Sequence, residues 1–401
     1  MKDFKGKKIL ILGAGVYQLP LIKKSKQMGL KTIVVSRKGN YPGFKISDKN
    51  YFIDTIDSDA VLKVALKENI LGICTSGTDV PLFTLGTVAE EMGLPGISKE
   101  AAALSTNKLL MKEAFLKKGV RSSTFVLIKN INIDDVMKIK SLNFPIIFKV
   151  VDSSGSRGII KVEDEAEIKK ALKIVIKNTK LGYFIAEEFL KGMELGAQAF
   201  VFNGEVKFIL PHGDFIFKGD TGVPVGHFVP LKLKEEVLTD LKNQIKMAIT
   251  ALKLTNCAIN ADFILRKNRV YVLEIGARAG ATCLPEMVSI YYGIDYYREI
   301  IKASLGKKPH FSDKTAQPNA SILLYSEKSG IIKELRNDNI EDERIIEIKF
   351  DYIPGQKINK FRVGPDRVGH VIVKDNSLKE CLILLKKVKK NIKIELMKPD
   401  E

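Results

Sequence analysis

Short apolar runs alternate with amphipathic segments through the first hundred residues. Lys8–Leu12 (KILIL) predicts a buried strand, then Gly13-Ala14-Gly15 turns into an amphipathic helix through Met28. Thr32–Ser36, Tyr51–Ile53 and Gly72–Thr75 predict further strands, with helices at about Ser58–Glu68 and Val80–Met92. This rhythm implies a doubly wound parallel α/β lobe. Gly13 and Gly15 begin a dinucleotide fingerprint, but its third glycine would fall at Gln18, so the match fails. Ser76-Gly77-Thr78-Asp79 follows the fourth strand, at the edge where such sheets bind ligands. Thr78 or Asp79 can equally cap the next helix.

Leu94-Pro95-Gly96 closes this lobe, and one helical segment, Ser98–Lys118, carries Lys108. Strand Thr124–Ile128 and a helix near Ile133–Leu142 lead to FPIIFKVVDSSGSRG at Phe144–Gly158. Lys149 interrupts an apolar strand there and needs an anionic partner. Ser153, Ser154, Gly155, Ser156, Arg157 and Gly158 form a small-residue loop whose N–H groups can wrap phosphate oxygens, or else a plain flexible hairpin. No Gly-Lys-Ser/Thr follows, so it is not a Walker loop. After a helix at Glu165–Lys177 comes YFIAEEFLKGME, Tyr183–Glu194. Glu187 and Glu188 end a strand, Phe189-Leu190 offers an apolar slot and backbone groups for a purine, and Glu194 opens a strand to Phe202. An ordinary strand with charged ends would show the same pattern.

The most informative stretch is Asn256–Gly280, NCAINADFILRKNRVYVLEIGARAG. Ala258–Leu265 and Arg269–Glu274 predict two strands joined at Lys267-Asn268. Asp262 and Glu274, twelve residues apart, can stand side by side across the ladder. Adjacent carboxylates in apolar surroundings repel unless they share a proton or hold a cation. An all-oxygen pair suits Mg²⁺. Arg278 is placed to pair with an anion beside it. The competing reading is a solvated edge hairpin with both acids pointing outward.

At 401 residues the chain needs roughly two to four domains. No apolar run reaches membrane-spanning length, and Ile9–Leu12 is too short for a signal peptide. Cys74, Cys257, Cys283 and Cys381 show no metal or disulfide spacing, as expected of a reducing cytoplasm. The net charge of +18 is mostly lysine spread over helices such as Leu384–Ile392, without interleaved aromatics, so a solvated surface is favoured over a nucleic-acid site.

Lys108, Phe148–Gly158, Glu187–Glu194 and Asn260–Gly280, in that order and spacing, resemble the ATP-grasp ligases. Within them the likeness is to the carboxylate–amine or L-amino acid ligase branch, related to biotin carboxylase and carbamoyl-phosphate synthase. The resemblance covers about residues 7–305 and implies an N-terminal α/β domain (1–100), an ATP-grasp domain (101–305, small lobe about 120–190) and a C-terminal lobe (306–401). ATP would lie between two antiparallel sheets. It further implies that Lys108 and Lys149 hold ATP phosphates under the Ser153–Gly158 loop. Glu187, Glu188, Phe189 and Leu190 would hold adenine, Glu194 the ribose, Asp262 and Glu274 Mg²⁺ or Mn²⁺, and Arg278 an acyl-phosphate or its carboxylate precursor. The family usually carries Asn two residues after the second metal acid, where this chain has Gly276.

Gly-rich Pro211–Pro230 resembles the loop that approaches phosphates and acceptor in the amino-acid ligase branch, with His212, Lys218 and His227 as candidates and His227 in the better context. The C-terminal part resembles a small closing lobe, with Arg367–Val371 as its recurrent strand. The implied activity is ATP-dependent formation of an acyl-phosphate and its capture by an amine. Small-molecule substrates and a cytoplasmic enzyme follow, dimers being common in the family. Bicarbonate as the carboxylate, or a nucleotide-binding module without catalysis, are the rival readings.

Overall fold

The computed structural model describes residues 4–129, 131–151, 158–179, 181–219, 222–311 and 316–397. The chain opens with four parallel strands, β1 (Lys8–Leu12), β2 (Lys31–Ser36), β3 (Lys49–Phe52) and β4 (Ile73–Cys74), ordered β3-β2-β1-β4. Helices α1 (Leu19–Gln27), α2 (Ser58–Glu68) and α3 (Leu82–Glu91) accompany them. β1 is apolar throughout because both faces are covered: Leu10 and Leu12 join one core cluster, Ile9 and Ile11 another.

Two local expectations change here. α1 starts only at Leu19, because the Gln18 side chain folds back into the glycine loop. It accepts from the Gly15 N–H (3.1 Å) and donates to the Ser76 carbonyl (2.5 Å). The helix expected over 98–118 is two helices, α4 (Lys99–Thr106) and α5 (Lys108–Lys117). Asn107 between them is extended, and its side chain caps α5 by accepting from the N–H groups of Leu109 and Leu110. The break leaves Lys108 buried at the first position of α5 rather than on a solvated helix face.

A small antiparallel sheet follows: β5 (Phe125–Ile128), β6 (Ile146–Val150), β7 (Ile159–Val162) and β8 (Phe184–Glu188), ordered β5-β8-β6-β7. Helices α6 (Ile133–Lys140) and α7 (Ile168–Asn178) cover it through a core of its own. The large sheet takes β9 (Met193–Phe202), β10 (Glu205–Ile216), β11 (Pro224–Val229), β12 (Cys257–Arg266), β13 (Arg269–Gly276) and β14 (Asn319–Leu324). After β15 (Gly330–Asn337) it gains β16 (Ile345–Phe350), and after β17 (Lys357–Ile358) it gains β18 (Gly369–Lys374). Its order is β13-β12-β9-β10-β11-β14-β18-β16, so the C-terminal segment adds three strands to the sheet that carries Asp262 and Glu274. β15, β17 and β19 (Ile392–Leu396) make a separate three-stranded sheet.

Pro211–Pro230, expected as a loop, is mostly the β10–β11 hairpin. Its glycines serve close packing: a Cβ at Gly213 would lie 2.1 Å from the Phe228 ring, and one at Gly226 2.3 Å from the Ser321 carbonyl oxygen. Among the described residues no helix is long and apolar enough to cross a membrane, and all four cysteines are free thiols.

Candidate active site

Asp262 on β12 and Glu274 on β13 are direct cross-strand partners. The turn at Lys267-Asn268 has left-handed φ at both residues (49° and 59°), as a two-residue hairpin requires. That turn alone would set Asp262 opposite Leu273. A bulge between Asp262 and Phe263 shifts the ladder by one and brings Glu274 opposite instead. The row continues through Gly196 on β9 to His212 on β10, all on one face of the sheet.

Asp262 opens onto the cleft, but enclosure by its walls, and then the neighbouring Glu274, push its carboxyl up to about 7. Two acids in register with one pushed toward protonation is what a divalent cation would relieve, so the pair fits the metal implied by the resemblance. Lys108 Nζ lies 3.1 Å from Glu274 Oε1. Burial works against the ammonium, yet Glu274 and Asp79 raise its pKa, so it stays charged.

Arg278 is largely buried and donates from Nη2 to Asp79 Oδ2 at 2.7 Å. Asp79 therefore does not cap α3, whose N-cap is Pro81 without a side-chain bond. Its other oxygen, Oδ1, is buried without a partner and sits 2.7 Å from where a Cβ at Gly276 would be. The glycine at 276 thus clears room for an acid from the N-terminal lobe. Gly276→Asn is expected to push Asp79 off Arg278 and lower turnover about 10-fold or more by misplacing the guanidinium. Steady-state ADP release checks this, and a rate equal to wild type would show that Asp79 can move aside freely.

Lys149 finds the carboxylate partner its position demands in Glu187 on the adjacent β8. Glu187 also binds Lys112 Nζ (2.7 Å) and accepts from Ser123 Oγ (2.5 Å). Burial alone would raise this carboxyl, but the two ammonium groups outweigh it and hold it well below the usual range. Both Glu187 oxygens are engaged by these cations, one by Lys149 and the other by Lys112. Glu188 turns to Asn143, accepting from its backbone N–H (3.1 Å) and side chain (2.5 Å). The Phe189 N–H donates to the Pro145 carbonyl (2.9 Å), and Leu190 beside it is buried. Glu194 is exposed near the start of β9. Ser153, Ser154, Gly155, Ser156 and Arg157 lie outside the described residues. Gly158, the first described residue after them, has φ +71° and its Cα face against Val150.

His227 is buried, its Nδ1 2.6 Å from Asp214 Oδ1, and the same oxygen receives His212 Nδ1 at 2.8 Å. Lys218 is exposed in the hairpin turn and joins no part of this group. Sequence reasoning missed Asp214 and Lys112 as members of these groups, and it placed Asp79 at the ligand-binding sheet edge without its pairing to Arg278. The His-x-Asp spacing of 212 and 214, one face of a strand, was a usable signal for the first.

Beyond Arg278 a cavity of about 260 Å³ lies between α1, the Gly280–Cys283 turn and strands β16 and β18. Tyr17, Lys23, Glu286, Lys349, Arg367 and His370 are among its walls. Arg367, expected within a strand, precedes β18 and pairs with Asp351 at 2.7 Å.

The ATP-grasp domain model matches residues 142–286, and that of L-amino acid ligase C-terminal domain 2 matches 322–397. The fold is shared with a phosphoribosylglycinamide synthetase of Anaerococcus prevotii, at 35% identity over 98% of this chain and 100% of that one, TM-score 0.85. An L-amino acid ligase of Bacillus licheniformis shares the fold at 18% identity, covering 98% and 100% of the two chains, TM-score 0.80. A formate-dependent phosphoribosylglycinamide formyltransferase of Methanocaldococcus jannaschii is 24% identical, covering 97% of each chain. With the paired acids, the lysines and the arginine on one cleft, and a relative this similar over its full length, the chain belongs to the ATP-grasp family of ATP-dependent ligases that join a carboxylate to an amine.

Proposed function

We propose that this cleft binds ATP with Lys108 and Lys149 on its phosphates, Leu190 at the adenine and Glu194 at the ribose. Asp262 and Glu274 would hold Mg²⁺, which supplies charge neutralisation for the transferring phosphoryl group. The observation that carries this reading is the Asp262–Glu274 register, flanked by Lys108 and Arg278. A carboxylate oxygen of the first substrate attacks the γ-phosphorus and ADP leaves. The amine nitrogen of the second then attacks the acyl carbon, phosphate leaves, and the nitrogen gives up its proton. The protein contributes positioning and cationic groups, with no side-chain nucleophile.

The acceptor would occupy the cavity beyond Arg278, whose lysine and arginine walls suit an anionic small molecule. The relatives' names include an L-amino acid ligase and a formate-dependent enzyme, which sets the trial: ADP release measured with ATP alone, then with formate, bicarbonate and amino acids, each with and without an amine. Release that needs both a carboxylate and an amine supports the ligase. Release with bicarbonate alone favours the carboxylase reading, and none with any pair would sink the proposal.

Arg278→Lys keeps the charge but loses the two-pronged geometry. ATP affinity by calorimetry is expected to hold while substrate-stimulated ADP release falls about 10-fold or more. Unchanged stimulation would rule out a two-pronged contact with substrate. Equal loss of both signals would make Arg278 a structural bridge to Asp79.

A further inference from the structure

We propose that His212 gives an imidazole nitrogen to the cation held by Asp262, so that the site prefers Mn²⁺ to Mg²⁺. The proposal rests on the metal reading above and assigns a ligand outside the two acids.

His212 is buried, and its Nε2 is a buried polar atom without a partner. A bare lone pair in that setting is unfavourable and calls for a hydrogen-bond donor or a cation. Which nitrogen carries the hydrogen is fixed by Asp214. An ionised carboxylate only accepts, so the imidazole Nδ1 atoms of His212 and His227, at 2.8 and 2.6 Å from one oxygen, must both be protonated. Those distances are hydrogen bonds, and Asp214 is a buttress. A carboxylate behind one ring nitrogen and an open lone pair on the other is the usual setting of a metal-binding histidine.

The sheet aims that lone pair at the acids. His212 and Asp262 flank Gly196 in one row, which places their Cα atoms roughly 9–10 Å apart on a common face. The imidazole lies on the glycine: a Cβ at 196 would stand 2.2 Å from Cε1 and 2.5 Å from Nε2. Any other residue at 196 would lift the ring off the row. A nitrogen ligand raises affinity for Mn²⁺ over Mg²⁺, which favours an all-oxygen shell.

The test is Mn²⁺ titrated into the protein with ADP, followed by electron paramagnetic resonance. Pulsed measurement on the bound ion is expected to show a histidine nitrogen coupling, separated from adenine nitrogens by ¹⁵N-histidine labelling. His212→Gln should lose that coupling and about 10-fold or more in Mn²⁺ affinity. Mg²⁺ competition should change far less, and His227→Gln should keep the coupling. Mn²⁺ bound without histidine coupling in the wild type overturns this inference and leaves the two-acid site standing. Coupling that survives in His212→Gln overturns it as well. Mn²⁺ that fails to bind with ADP removes both.

Discussion

Glu274→Gln should cut ATP turnover about 100-fold or more while leaving the fold intact. The factor corresponds to about 2.7 kcal/mol of transition-state stabilisation. The swap keeps shape and removes one charge from the acid pair that faces the cleft. It also turns the 3.1 Å ion pair with Lys108 into at most a neutral hydrogen bond, at a lysine proposed to hold phosphate. Stability should change little, because the Glu274 side chain is 36% exposed and an amide there remains solvated. The residual site also becomes easier to ionise: Asp262 keeps the enclosing cleft walls but loses its acidic neighbour, so its carboxyl should fall from about 7. Turnover within about twofold of wild type, in protein with an unchanged melting temperature, would remove Glu274 from the metal site.

The parts legible in the sequence were those whose partners lie close along the chain. The β12–β13 hairpin could be read because its turn, its apolar strands and both acids fall within one short segment, although the bulge that sets their register left no mark. Lys149 was legible as a lysine in an apolar strand, and the need for an acid was a matter of solvation. Which acid answered it depended on β6 pairing with β8, which sets Glu187 in an ion cluster with Lys149 and Lys112 that spacing along the chain did not show. Asp79 meets Arg278 across 199 residues, so local spacing could not connect them, and the sequence offered only a ligand-binding sheet edge or a helix cap for it. The glycines of 211–230 misled for a related reason. Glycine marks loops and also tight contacts between strands, and only the aromatic ring against Gly213 decides which.

Glu187→Gln should unfold the small lobe more easily than any other single substitution named here. The carboxylate lies 2% exposed between Lys112, at 3%, and Lys149, at 12%. Removing it leaves two ammonium groups beside each other in a buried pocket, a loss on the order of 3–5 kcal/mol. Lys112 already has its pKa lowered, first by burial, with Glu187 opposing that fall, so the variant should leave it neutral more often. The sign with pH follows from the depressed carboxyl. Its stabilisation is fully present above the unfolded value of about 4.5 and is lost as pH falls toward its folded value, far lower. Wild type should therefore lose stability below about pH 4.5 more steeply than Glu187→Gln, and the gap between them should narrow in acid. Urea unfolding at pH 7 and pH 4 measures both. Adding Lys112→Met to Glu187→Gln should recover part of the loss, since it removes the deeper unpaired charge while Lys149 can still reach the cleft. A deficit under about 1 kcal/mol at pH 7 would mean that water or another acid already answers these lysines. Glu187 would then be free for the purine contact first read from the sequence.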